Sequence, residues 1–148
     1  MEPIEAATKA TGLTDFGADD WREPFSVLIR SLAEEGELNL FGRLMTRSDL
    51  LITLQARLQV EDTYKRHPEI DDEQITQPLR IVDQGRSGTS VLQNLLSADP
   101  HNGTTLNWET SFPCPPPDAA TYASDPRIER AARSPRVEPS RARADFDA

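Results

Sequence analysis

The sequence predicts an α/β fold that opens with a helical segment. Two stretches with apolar residues at helical spacing precede residue 68, and a short apolar run, a glycine-containing loop and another amphipathic stretch follow over residues 79–96. The order strand, tight loop, helix is typical of the first unit of a parallel sheet. We therefore expect helices first and the beginning of an α/β domain after them.

The helical segment is predicted from two apolar stripes. Their members are Trp21, Phe25, Leu28, Ile29 and Leu32 in the first, and Leu51, Leu54 and Leu58 in the second. The first helix should end near Gly36, and the second should run from Ser48 to the residues before Pro68, because proline disfavours a helical residue ahead of it. Such a stripe most often faces the protein's own core, and docking onto a partner helix is the alternative.

Charge and composition exclude several classes of protein. The 148 residues suffice for one domain, and their formal charge of −9 argues against a broad surface for nucleic acid, which needs clustered Lys and Arg. Cys114 is the single cysteine, and His67 and His101 have no zinc-like spacing. Because a ligand cluster is missing, we expect no metal. Because we find no export signal or long apolar run, we expect no transmembrane segment and a cytoplasmic location.

The loop after the predicted strand, residues 79–82, has the composition of an anion site. Free amides and the positive end of a helix dipole meet at such a position. The two glycines of the loop allow close backbone approach, three hydroxyl side chains add donors, and one arginine adds a fixed charge. The six residues are Gly85, Arg86, Ser87, Gly88, Thr89 and Ser90.

Three better-known motifs do not match this loop. A Walker A loop has lysine where Thr89 stands, which disfavours a kinase-like protein. A dinucleotide fingerprint requires G-x-G, but Gly85 is followed by Arg86 and Ser87. A nucleophile elbow, G-x-S-x-G, also fails at Thr89.

Residues 86–90 resemble the cofactor loop of the sulfotransferases, a basic-[ST]-G-[ST]-[ST] run that follows a strand. The resemblance extends to further segments: 94–100 (Asn-Leu-Leu-Ser-Ala-Asp-Pro), 108–109 (Trp-Glu), 112–117 (Phe-Pro-Cys-Pro-Pro-Pro), 119–122 and 125–128. Together they are similar to a bacterial branch of the family that also carries a helical N-terminal segment. The alternative for the loop is a strand-to-helix turn whose glycine only fixes geometry.

The resemblance implies that PAPS (3′-phosphoadenosine-5′-phosphosulfate) is the cosubstrate and that residues 85–90 hold its phosphosulfate, with Arg86 neutralising the leaving charge. It also implies a general base just after the second predicted strand, residues 106–108. Glu109 stands there and is the candidate base; an ordinary carboxylate at a helix start is the alternative. The acceptor would be a small molecule with a hydroxyl or amine group.

We expect four segments: a flexible N-terminus (1–14), a helical segment (15–77), a partial PAPS-binding α/β domain (78–133) and a disordered tail (134–148) unlike the family. Family members are much longer, so we expect a truncated P-loop-like sulfotransferase fold that is inactive by itself. The alternative function is a noncatalytic helical interaction module.

Overall fold

The computed structural model describes residues 3–82, 84 and 87–133, so the predicted tail lies outside the described residues. All regular structure in the described part of the chain is helical. The α-helices are α1 (Pro3–Thr11), α2 (Arg22–Glu34), α3 (Leu40–Arg66), α4 (Thr89–Ser97), α5 (Asn107–Ser111) and α6 (Pro126–Ala132). Short 3₁₀ turns cover Asp19–Trp21, Pro68–Asp72 and Tyr122–Ser124.

Within these residues, no helix combines the length and the apolar character needed to cross a membrane.

Helix α3 is the longest element and supports both apolar clusters. It begins where the Asn39 side chain accepts a hydrogen bond from the Gly42 amide at 2.8 Å. Its end ahead of Pro68 confirms the predicted stop. The helix starts earlier than the predicted start at Ser48, because Asn39 caps it and no proline interrupts residues 40–66.

The first cluster lies where α1 packs against α3. Ala7 and Leu58 are fully buried there, and Phe16 is 4% exposed. The N-terminal segment thus contains a helix where the sequence analysis expects a flexible stretch. A helix of nine residues is marginal by itself, and contacts of Ile4 and Ala7 with the cluster stabilise this one.

Arg57 of α3 holds the turn between α1 and α2. Its Nε donates to the Phe16 carbonyl at 2.6 Å and its Nη2 donates to the Ala18 carbonyl at 3.0 Å. About two turns further along α3, Lys65 forms an ion pair with Asp15. These bonds fix the path of the chain from α1 into α2.

The second cluster joins α5 and α6 to the same long helix. Trp108, Phe112 and Ala131 are buried in it, and Ile52 of α3 packs against them. Helix α3, which lies in the predicted segment 15–77, therefore also supports α5 and α6 of the predicted segment 78–133.

The prediction of an α/β fold with a parallel sheet is wrong for the described residues. Residues 79–82 form no strand, and the second predicted strand, 106–108, falls at the start of α5. A strand needs a neighbour to take its backbone hydrogen bonds, and a parallel sheet needs cover on both faces. No such neighbour exists in the described part of the chain, so Leu79 and Val82 stay exposed.

Candidate functional site

The candidate anion-binding loop leads directly into α4. Gly88 precedes the helix with φ 97° and ψ 11°, a left-handed conformation that glycine adopts without the steric cost of a Cβ. An added Cβ would meet no atom of the described residues within 4 Å, so they leave the space beside Gly88 open. Gly85 and Arg86, two of the predicted site residues, lie outside the described residues.

The start of α4 presents backbone donors. Gly88 O accepts from the amides of Val91 at 3.0 Å and Leu92 at 3.1 Å, which begins the helical ladder. The amides of the first turn have no acceptor inside a helix, and for Thr89 and Ser90 no acceptor occurs elsewhere in the described part of the chain. These two amides and the dipole of α4 can therefore attract an anion.

The hydroxyl of Ser87 is engaged within the loop. It donates to the Gln84 carbonyl at 2.7 Å. Its hydrogen is thus not free for a ligand while that bond persists. Ser87 therefore differs from Thr89 and Ser90, for whose hydroxyls no such bond occurs within the described residues.

Glu109, the candidate general base, is held by two donors. The Leu106 amide donates to Oε2 at 2.6 Å, and the Tyr122 hydroxyl donates to Oε1 at 3.0 Å. Glu109 occupies the third position of α5, so its bond to Leu106 satisfies an amide at the start of that helix. The alternative of a carboxylate at a helix start therefore accounts for the contact at Oε2, whereas Oε1 accepts from Tyr122.

The described residues of the loop are not bonded to Glu109. Among residues 3–82, 84 and 87–133, no hydrogen bond or ion pair links residues 87–90 to this carboxylate. Helix α4 is bonded to the turn that follows it, where Asn102 Nδ2 donates to the Leu96 carbonyl at 3.0 Å. His101, another potential base, has a ring that is 91% exposed and contacts Asp99 at 2.9 Å. A backbone hydrogen bond from His101 and its ring contact lower the pKa of Asp99.

A buried polar group that the sequence analysis does not predict lies at the start of α6. Arg127 and Asp125 form a buried ion pair at the start of α6, and Arg127 also donates to the Phe112 carbonyl at 3.0 Å. In the sequence, Asp125 followed by Pro126 is typical of a helix start, but this pattern does not indicate a role for Arg127.

A cleft of about 190 Å³ lies between the end of α3 and the proline-rich segment. The Thr63 hydroxyl lies 2.7 Å from the Gln59 carbonyl and 3.3 Å from the Cys114 sulfur at its wall. None of the described loop residues, 87–90, lines it. The described residues also bring no three His, Cys, Asp or Glu side chains together as metal ligands would be.

No protein-family model and no curated protein matches this sequence. Two solved structures are similar to it. The sulfotransferase STF1 from Mycobacterium tuberculosis H37Rv is 35% identical with a TM-score of 0.75, over 86% of this chain. The sulfotransferase STF9 from Mycobacterium avium is 29% identical with a TM-score of 0.76, over 99% of this chain.

This chain spans 36% of the length of each of those two proteins. The similarity nevertheless covers nearly all of the chain in sequence and in backbone, including its helical first half. By this combined likeness the chain is related to the bacterial sulfotransferases.

Proposed function

We propose that this chain supplies the phosphosulfate-binding part of a PAPS-dependent sulfotransferase. The observation that carries the proposal is the left-handed turn at Gly88, which opens α4 with the amides of Thr89 and Ser90 unpaired within the described residues. The structural likeness to two mycobacterial sulfotransferases supports the same reading. Residues 78–133 would then be part of a nucleotide-binding domain, and residues 15–77 its helical support.

The residues at the start of α4 fit an anionic group such as the 5′-phosphosulfate of PAPS. Thr89 and Ser90 offer amides and hydroxyls, and the open space beside Gly88 admits a ligand close to the backbone. We assign Gly85 and Arg86 to the same site on their position in the sequence, with the Arg86 guanidinium neutralising phosphate charge. The net charge of −9 makes such local positive groups necessary for holding an anion.

The proposed reaction moves a sulfuryl group from PAPS to an acceptor hydroxyl or amine. The acceptor atom forms a bond to sulfur as the bond from sulfur to the phosphate oxygen breaks, and adenosine 3′,5′-bisphosphate leaves with the bonding electron pair. Glu109 is the proposed base that takes the acceptor's proton. The chain's other contribution is positioning and charge stabilisation at residues 85–90, as in phosphoryl transfer.

Calorimetric titration of the purified chain with adenosine 3′,5′-bisphosphate tests the nucleotide site. We expect saturable binding that Arg86→Ala abolishes. Arg80→Ala is the matched control, because Arg80 is exposed on the segment before the loop and should leave binding unchanged. Equal binding by both variants would remove Arg86 from the site, and no binding by the unsubstituted chain would refute the nucleotide assignment.

A noncatalytic helical interaction module is the second candidate function. One observation favours it: apolar side chains of α2 and of the first turns of α3 are exposed, namely Val27, Leu28, Leu40, Phe41 and Leu44. The same titration, combined with circular dichroism, separates the two candidates. Retained helix content without nucleotide binding supports the module. The free Cys114 is compatible with the cytoplasm, which we propose as the location in either case.

A further inference from the structure

The carboxylate of Glu109 is oriented from both sides. Oε2 accepts from the Leu106 amide within the start of α5, and Oε1 accepts from the Tyr122 hydroxyl thirteen residues further along the chain. A local contact of the first kind is common at helix starts, but a second donor from a separate turn is not required for capping. The contact with Tyr122 therefore needs its own explanation.

Tyr122 is held in place by its surroundings. Its ring packs edge-on against Trp108, with 5.4 Å between ring centroids, and Trp108 is buried in the second cluster. The ring is 38% exposed, so the hydroxyl lies at the edge of the cluster beside Glu109. Burial, followed by the hydrogen bond to Glu109 and its negative charge, raises the pKa of Tyr122 above its ordinary value. The hydroxyl thus remains a neutral donor near pH 7.

We propose that Tyr122 is the positioning residue for Glu109, and this inference rests on the proposed role of Glu109 as base. With Leu106 at Oε2 and Tyr122 at Oε1, the carboxylate cannot rotate freely. Each carboxylate oxygen can accept two hydrogen bonds, and within the described residues each accepts one, so a second position on each oxygen is available for the proton of a hydroxyl or amine. The pair thereby presents a fixed carboxylate edge to the acceptor, which is what general-base catalysis needs.

Chemical reactivity of the carboxylate tests this arrangement without requiring turnover. Carboxyl groups of the full chain are coupled to glycine ethyl ester with a water-soluble carbodiimide, and the extent at Glu109 is read by peptide mass spectrometry. We expect Tyr122→Phe to raise coupling at Glu109 severalfold, because Oε1 loses its hydrogen-bond donor and the carboxylate becomes more mobile and more accessible. Coupling at Glu129, whose side chain is 71% exposed, serves as the internal reference.

Tyr64→Phe is the matched control, since Tyr64 is the other tyrosine of the chain and is not a partner of Glu109 in the described structure. In the Tyr64→Phe background, ultraviolet titration reports Tyr122 alone. Glu109→Gln should then lower the pKa of Tyr122 toward its ordinary value of 10.0, whereas Glu129→Gln should not change it. This second measurement decides the pairing if Tyr122→Phe fails to fold.

The outcomes separate this inference from the proposed function. Raised coupling at Glu109 with nucleotide binding intact in Tyr122→Phe supports the positioning role. The positioning role is overturned if Tyr122→Phe leaves coupling at Glu109 unchanged, or if Glu109→Gln leaves the pKa of Tyr122 unchanged. Either result counts even if the nucleotide binds. Should the unsubstituted chain bind no nucleotide while both readouts respond, the proposed function fails, and Tyr122 merely braces the start of a helix.

Discussion

Arg127 makes two parallel hydrogen bonds to Asp125, from Nε to Oδ1 at 2.9 Å and from Nη2 to Oδ2 at 2.6 Å. Its Nη1 donates to the carbonyls of Phe112 and Pro115, and its guanidinium lies 4.8 Å from the centroid of the Trp108 ring. Because Asp125 also accepts from the Arg127 amide at the start of α6, this one pair ties the proline-rich segment to α5 and α6.

Removing the arginine should destabilise the second cluster. Arg127→Met leaves the Asp125 carboxylate without its guanidinium partner and two carbonyls without their side-chain donor, and we expect a loss of roughly 3 kcal/mol in the free energy of unfolding. Urea unfolding followed by circular dichroism measures it. Arg133→Met is the control, because the Arg133–Glu129 pair is exposed and should contribute about 0.5 kcal/mol or less.

The same pair should make stability depend on pH. The hydrogen bond from Arg127 is the largest effect on Asp125 and lowers its pKa below 3.8, although burial opposes this. A carboxylate whose pKa is lower in the folded state stabilises the fold above the unfolded pKa, and this stabilisation is lost as the pH falls through the folded value. The stability difference between the unsubstituted chain and Asp125→Asn should therefore be constant from about pH 7 to 5 and shrink below about pH 4. A difference that grows on acidification would contradict this assignment.

The first cluster should depend on the middle of α3. Leu58 is fully buried between α1 and α3, and Leu58→Ala should cost about 3 kcal/mol through lost burial and the cavity left behind. Leu44→Ala on the same helix should change stability by about 0.5 kcal/mol or less, because Leu44 is 55% exposed. Chemical denaturation measures the free energy of unfolding of both variants. Equal losses in Leu58→Ala and Leu44→Ala would show that α1 does not pack on α3 in solution.

The left-handed turn before α4 should tolerate only glycine. Gly88 has φ 97°, and Gly88→Ala should cost about 1 kcal/mol in strain and weaken binding of adenosine 3′,5′-bisphosphate. Gly103→Ala, at a position with open space and no positive φ, should leave both quantities unchanged. Thermal unfolding and calorimetry measure the two effects, and unaltered nucleotide binding in Gly88→Ala would separate the turn from the proposed site.

Local signals predicted several elements well. The stripe from Phe25 to Leu32 lies in α2, and Pro68 follows the end of α3 as expected. Gly88 precedes α4, so the order of loop and helix at the candidate site also agrees with the sequence analysis. Each of these features depends on residues within a few positions of one another, through periodicity, capping and backbone preference.

Other features could not be predicted in this way. The segment 79–82 has the composition of a strand, but pairing depends on a neighbour that the described residues do not provide. Likewise Glu109 reads as a carboxylate near a helix start, and nothing near it in the sequence indicates that Tyr122 donates to its second oxygen.

The sequence by itself determined the helical first half and the resemblance to sulfotransferases, and it predicts an anion-binding loop at residues 85–90. Only the tertiary structure decided that α1 packs on α3, that Arg127 pairs with Asp125 in a buried setting, and that Glu109 is held from two sides. The physical reason is that helical periodicity and caps act between close neighbours along the chain, whereas burial and strand pairing depend on which distant segments meet.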